Sequence, residues 1–139
     1  MQVIKYVFQP HGDERGQLIA FEEFKDIPFH IKRVYYMYGT ADGVVRGQHA
    51  HRTLDQILVC IHGRCTIVMD NGKEKKEVPL ELPYEGLWMP HGIWHDMKDF
   101  TPGTVLLVFA SDFYDAGDYI RDYDEFLRFV KEREKTNED

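Results

Sequence analysis

Short apolar or β-branched runs alternate with turn residues along most of the chain. Runs at 3–8, 17–22, 33–38, 56–61, 65–69, 75–82, 87–89 and 104–110 each have the length of a strand. No helical pattern intervenes between them, which predicts an all-β sandwich or barrel rather than alternating βα units. Asp70-Asn71-Gly72 is the clearest turn signal, because Asn and Gly tolerate the positive φ of a tight hairpin, and it should join the runs at 65–69 and 75–82. From Asp118 the period changes. Tyr119, Ile120, Tyr123, Phe126, Leu127 and Val130 recur at helical spacing with charged residues between them, predicting one amphipathic helix over about 118–133. After Val130 the sequence is polar to Asp139, so the last turns should fray. This helix is expected to cover the barrel and to carry no chemistry.

The length of 139 residues suits one domain, with the barrel over about 1–112 and the helix after it. An apolar fraction of 43% with 14% aromatics describes a chain that folds. Seventeen Lys and Arg against 24 Asp and Glu leave a net charge of -7, which disfavours nucleic-acid polymers and anionic membranes as partners. A small anion can still be held by local arginines. No apolar run is long enough to span a bilayer, and the first residues lack the pattern of a secretory signal, so a cytoplasmic protein is expected. Cys60 and Cys65 could face each other across a hairpin; in a reducing compartment they read as buried free thiols.

The candidate chemistry lies in two clusters. In Arg46-Gly47-Gln48-His49-Ala50-His51, the imidazoles two residues apart project from one face of a strand. The second cluster runs from Gly86 through Pro90-His91-Gly92 to Trp94-His95. With Gln56 and Gly63 between them, the spacing resembles the two-motif signature of a cupin (jelly-roll) barrel. Metal-binding cupins use two His and a Glu from the first motif and a third His from the second. Here the Glu position is Gln56, and a neutral amide adds no charge to offset the cost of desolvating a metal. His49 and His51 are therefore expected to work as acid and base without metal or other cofactor, with His95 aimed into the same cavity. Arg33 and Arg46 are candidate anion contacts, because guanidinium forks pair bidentately with phosphate oxygens. Arg15 reads either as another such contact or as a solvated turn residue. Tyr35, Tyr36 and Tyr38 occupy both faces of one strand, so some belong to the core and some could pack on a sugar or base. His91 reads as a turn residue, and His11, His30 and His62 as exposed loop residues.

Several longer strings are more specific than the cupin motif. Ile31-Lys32-Arg33-Val34-Tyr35-Tyr36, Arg46-Gly47-Gln48-His49-Ala50-His51, Trp94-His95-Asp96-Met97 and Asp118-Tyr119-Ile120-Arg121-Asp122-Tyr123 resemble those of the thymidine-diphosphate 4-keto-6-deoxy-D-glucose 3,4-ketoisomerases. The resemblance runs from about Gly16 to Tyr123. It implies a metal-free homodimer with a nucleotide-linked keto sugar in the barrel. It also implies His49 as the base at C3 and His51 as the shuttle between the C3 and C4 oxygens, with Arg15, Arg33, Tyr35, Arg46, Gln56 and His95 as substrate contacts. Arg15-Gly16 and Trp94-His95 match the branch that makes the galacto-configured product, thymidine-diphosphate 6-deoxy-D-xylo-hex-3-ulose. Three other readings remain open here: a nucleotide-sugar 3,5-epimerase, a metal-dependent cupin using His49, His51, His95 and Gln56, and a non-catalytic sugar-binding module.

Overall fold

The computed structural model describes residues 1–138. Twelve short strands are followed by one helix: β1 Lys5–Val7, β2 His11–Asp13, β3 Gly16–Leu18, β4 Arg33–Met37, β5 Arg46–His51, β6 Gln56–His62, β7 Cys65–Asp70, β8 Lys75–Leu80, β9 Glu85–Met89, β10 Trp94–Lys98, β11 Val105–Ala110, β12 Tyr119–Ile120 and α1 Tyr123–Glu138. They build two five-stranded antiparallel sheets, ordered β1-β9-β6-β11-β4 and β12-β5-β10-β7-β8, with β2 and β3 forming a separate hairpin. The Asn-Gly turn falls where its chemistry places it. Gly72 takes a φ of +92°, and Asn71 Oδ1 accepts from the backbone N–H groups of Lys73 and Glu74 at 2.9 Å each.

Alternation along the strands assigns three apolar layers. Met37, Leu58, Leu106 and Val108 from one sheet meet Ile67, Met69, Leu80 and Met97 from the other, forming the central core. On the outer face of the first sheet, Ile57, Val59 and Phe109 are covered by the segment carrying Ile19, Phe21, Phe29 and Ile31. β6 is thus clothed on both sides, which is why its residues from Gln56 to Cys60 are all buried. Ala50 and Trp94 on the outer face of the second sheet are covered by Ile120, Phe126, Leu127 and Val130.

The expected strand at 17–22 stops at Leu18, because Ile19 and Phe21 are drawn into the packing over the first sheet instead of continuing a ladder. The expected helix starts five residues late. Ala116–Asp118 form a single 3₁₀ turn, and Tyr119 and Ile120 then pair with His51 and Ala50 as an added strand. Burying Ile120 completely against Ala50 and Phe126 satisfies both its side chain and its backbone in that ladder. Asp122 caps the true helix start, its Oδ1 accepting from the N–H groups of Asp124 at 2.8 Å and Glu125 at 3.2 Å. At its other end the helix continues to Glu138, beyond the expected limit near 133. Cys60 and Cys65 are buried free thiols, as expected.

Candidate active site

β5 and β10 lie side by side with His49 opposite His95, and alternation on β5 turns His49 and His51 to the same inner face. Gly47 makes this approach feasible. Its φ is +82°, and a Cβ there would sit 2.9 Å from the His95 carbonyl oxygen. The three imidazoles form a cluster, with ring centroids separated by 5.0 Å for His49 and His51, 4.8 Å for His49 and His95, and 6.1 Å for His51 and His95. Tyr119 from β12 closes one side, its ring 4.9 Å from His49 and 4.4 Å from His51.

Each ring has its Nδ1 engaged: His49 with the Gly47 carbonyl at 3.0 Å, His95 with the Ile93 carbonyl at 3.2 Å, and His51 with Asp118 Oδ2 at 3.2 Å. A carbonyl only accepts, so Nδ1 of His49 and of His95 carries the proton and Nε2 holds the lone pair. Burial, reinforced by the neighbouring imidazoles, pushes His49 down to about 4 and His95 down to about 3. Burial also lowers His51, against the opposing pull of the Asp118 carboxylate. The cluster is therefore neutral at pH 7 and able to accept protons.

His49 opens onto a cavity of about 390 Å³ lined by Arg33, Tyr35, Arg46, Tyr119 and Arg121. The guanidinium of Arg33 lies 4.5 Å from the Tyr35 ring and that of Arg121 lies 4.3 Å from the Tyr119 ring, so two cations are held against aromatic faces at the cavity wall. Gln56 is buried behind this wall and donates from Nε2 to the Tyr35 hydroxyl at 2.8 Å. Arg33, Tyr35, Arg46 and His49 thus line one space, with His51, Gln56 and His95 packed behind it. Arg15 is different. It is exposed at the tip of the β2–β3 hairpin, forks onto Asp13 with Nη2 2.6 Å from Oδ2, and does not line the cavity. Within this chain its partner is the carboxylate two residues away in its own turn.

Asp118, Tyr119 and Arg121 were hidden from sequence reasoning. Their spacing fits a helical face as well as a strand, and only the pairing partner on β5 decides between them. His91 also differs from a plain turn residue, since both its Nδ1 and its backbone N–H bond Asp55 Oδ1, at 2.8 and 2.9 Å. His11 and His62 sit in strands, and His62 Nδ1 bonds the Gly103 carbonyl at 2.8 Å.

One ring nitrogen from each of His49, His51 and His95 lies within 4.8 Å of the others, so among the described residues these three imidazoles could hold a divalent ion. Gln56 adds nothing to such a set, because its amide is bound to Tyr35 and carries no charge.

Together, the double antiparallel sheet, the closing helix and the histidine-lined cavity define a cupin-type barrel. Residues 1–131 match the family described as FdtA: WxcM-like, C-terminal. The TDP-4-oxo-6-deoxy-alpha-D-glucose-3,4-oxoisomerase of Aneurinibacillus thermoaerophilus is 48% identical over 118 residues, 85% of each chain. Among solved structures, a 3,4-ketoisomerase from Helicobacter canadensis superposes with a TM-score of 0.91 at 46% identity, covering 94% of this chain and 98% of its own. QdtA, a sugar 3,4-ketoisomerase from Thermoanaerobacterium thermosaccharolyticum in complex with TDP, gives 0.92 at 41% identity, with coverage of 94% and 96%. The chain belongs to this FdtA-like family of sugar 3,4-ketoisomerases.

Proposed function

We propose that the protein moves the keto group of TDP-4-keto-6-deoxy-D-glucose from C4 to C3 through an enediol. The observation that carries this is the neutral histidine cluster opening, through His49, onto a cavity walled by Arg33, Arg46 and Arg121. The activity of the relatives supports it.

The residues suit the steps. The Nε2 lone pair of His49 takes the C3 proton, leaving an enediolate with its charge on O4. His51 passes the proton of the C3 hydroxyl to O4. His49 then returns its proton to C4 as the carbonyl forms at C3. No atom is gained or lost, and no electron acceptor is needed. A group that accepts and returns a proton must be neutral beforehand, which burial ensures for both histidines. Arg33, Arg46 and Arg121 are placed to hold the diphosphate, and Tyr35, braced by Gln56, to pack on or hydrogen-bond the sugar. His95 orders the cluster from behind His49.

Incubating the protein with TDP-4-keto-6-deoxy-D-glucose in deuterated water and reading the product by NMR tests this. The expected product is a 3-keto sugar, with deuterium at C4 to the extent that the proton held on His49 exchanges with solvent before it is returned. Exchange at C3 and C5 with the carbonyl still at C4 would make the protein an epimerase instead. We further expect the galacto configuration, with an axial C4 hydroxyl. His95 beside the base supports that assignment more than Arg15 does, since Arg15 lies outside this chain's cavity. A C4 coupling constant typical of an equatorial hydroxyl would refute it.

Turnover is expected to survive prolonged chelation, with metal content measured on the same sample. Loss of turnover that one divalent ion restores would reassign the three imidazoles to a metal. A homodimer is also expected. Among the described residues β1 pairs with β9 alone and leaves its other edge open, and Val7 on that strand is exposed. Light scattering should give twice the chain mass; a monomer at micromolar concentration removes this expectation. No helix among the described residues is long and apolar enough to cross a membrane. The two free thiols fit a reducing cytoplasm.

A further inference from the structure

His51 is the one member of the cluster whose Nδ1 faces a carboxylate; His49 and His95 face backbone carbonyls. That carboxylate is itself firmly held. Asp118 Oδ1 accepts from the Thr53 N–H at 2.9 Å and the Thr53 hydroxyl at 2.8 Å, and Oδ2 accepts from the Leu54 N–H at 3.2 Å. Its side chain is only 12% exposed. The 3₁₀ turn at Ala116–Asp118 and the pairing of Tyr119 with His51 fix its position from one side, and the residues that follow β5 fix it from the other.

Building on the ketoisomerase reading, we propose that Asp118 is a positioning residue that holds His51 in the Nδ1–H tautomer and stabilises the imidazolium formed while His51 carries a proton between the two sugar oxygens.

An ionised carboxylate only accepts, so the His51 proton must sit on Nδ1 and the lone pair on Nε2. Nε2 is buried and has no partner within the protein, so its lone pair is uncommitted. The shuttle step then balances on that single atom. The O3–H bond breaks as Nε2–H forms, and the Nε2–H bond breaks as O4–H forms. Between the two transfers His51 is positively charged in a buried position next to Arg33 and Arg121, both of which disfavour that charge. Asp118 is the group that offsets them, through a charge-assisted hydrogen bond roughly twice as strong as one to a carbonyl. His49 is expected to manage without such a partner, since it lines the open cavity where the enediolate lies beside it.

The test compares Asp118→Asn with the wild type and with Thr53→Val, which removes a donor to the same carboxylate but leaves the carboxylate in place. An amide at this position can donate to Nδ1 and so favour the wrong tautomer. Asp118→Asn should lower kcat by about 10-fold or more with KM changed less than about 2-fold, whereas Thr53→Val, which keeps the carboxylate and loosens only its support, should lower kcat by less than Asp118→Asn does. In a His51→Asn background, Asp118→Asn should cost nothing further, because the residue it positions is already gone. Nitrogen-15 NMR of the wild-type protein should show His51 protonated at Nδ1 and bare at Nε2.

A wild-type His51 protonated at Nε2 overturns the proposal whatever any variant does, including one that fails to fold. Wild-type kcat in Asp118→Asn, or a full additional loss in the His51→Asn background, also overturns it. If the wild type isomerises the sugar and one of these results is found, only the Asp118 assignment fails. If the wild type does not isomerise the sugar, the ketoisomerase reading fails and the assigned role falls with it.

Discussion

Replacing either His49 or His51 with asparagine is expected to lower turnover by about 10²-fold or more while leaving nucleotide binding nearly unchanged. Asparagine keeps much of the polar volume but cannot take up and return a proton. The arginines at the cavity wall are all retained in these variants, so the diphosphate should still bind. Steady-state kinetics on the keto sugar together with TDP binding by calorimetry would check both halves. Wild-type turnover in one variant would remove that histidine from the proton path. A parallel loss of TDP affinity would mean the imidazoles build the binding site rather than act on the sugar. The two variants should also differ in isotope exchange. Without His49 the C3 proton should remain on carbon, whereas without His51 the C3 proton should still wash out into deuterated water even though product formation stalls.

The second large effect is acid sensitivity of the folded state. His49, His51 and His95 are all held below the ordinary histidine value by burial, with His49 at about 4 and His95 at about 3. The unfolded chain, with histidines near 6.5, therefore binds more protons than the folded one throughout the window between. The neutral cluster's contribution to stability is fully present above pH 6.5 and is lost as pH falls from there towards 3. Each histidine titrating in that window removes up to about 1.4 kcal/mol per pH unit. Denaturant unfolding between pH 7 and pH 4 should show a steep fall in stability, and His95→Asn should fall less steeply. Equal slopes would mean that the histidines are not held neutral by the fold. The same shift should place the acid limb of kcat/KM near pH 4 instead of near 6.5, because His49 must be unprotonated to act as base.

The three-histidine geometry was legible from one-dimensional spacing only in part. His49 and His51 share a face because strand periodicity is 2, and that holds wherever the strand goes. His95 was placed in the same cavity by resemblance, and the structure supplies the reason: β10 lies against β5 with the two residues in register. The Gln56 argument against a metal ligand rested on chemical type, and the structure adds that the amide is already committed to Tyr35.

The misread start of the helix has a physical cause. At 118–122 the spacing of apolar residues fits a helix and a strand equally, and propensity cannot choose when a waiting partner edge determines the outcome. The edge of β5 was that partner. It took up Tyr119 and Ile120, and in doing so carried Asp118 to His51 and Arg121 to the cavity. A segment expected to be an inert cover thereby became a wall of the site. Arg15 stands apart from the cavity of its own chain for a local reason. Its short turn provides a local carboxylate, Asp13, and within this chain nothing draws the hairpin tip towards the histidines.

By itself the sequence determined the all-β architecture, the Asn-Gly hairpin, the amphipathic helix and the shared face of His49 and His51. All of these are set by local periodicity or by single-residue backbone preferences. Tertiary structure alone decided where the helix begins, which carboxylate meets His51, which arginines wall the cavity and how neutral the imidazoles are. Those properties depend on burial and on pairing between residues as much as 67 positions apart, as in the contact of His51 with Asp118. Neither the desolvation of a side chain nor the partner of an edge strand can be read from spacing along the chain, because both are set by what the rest of the fold places beside them.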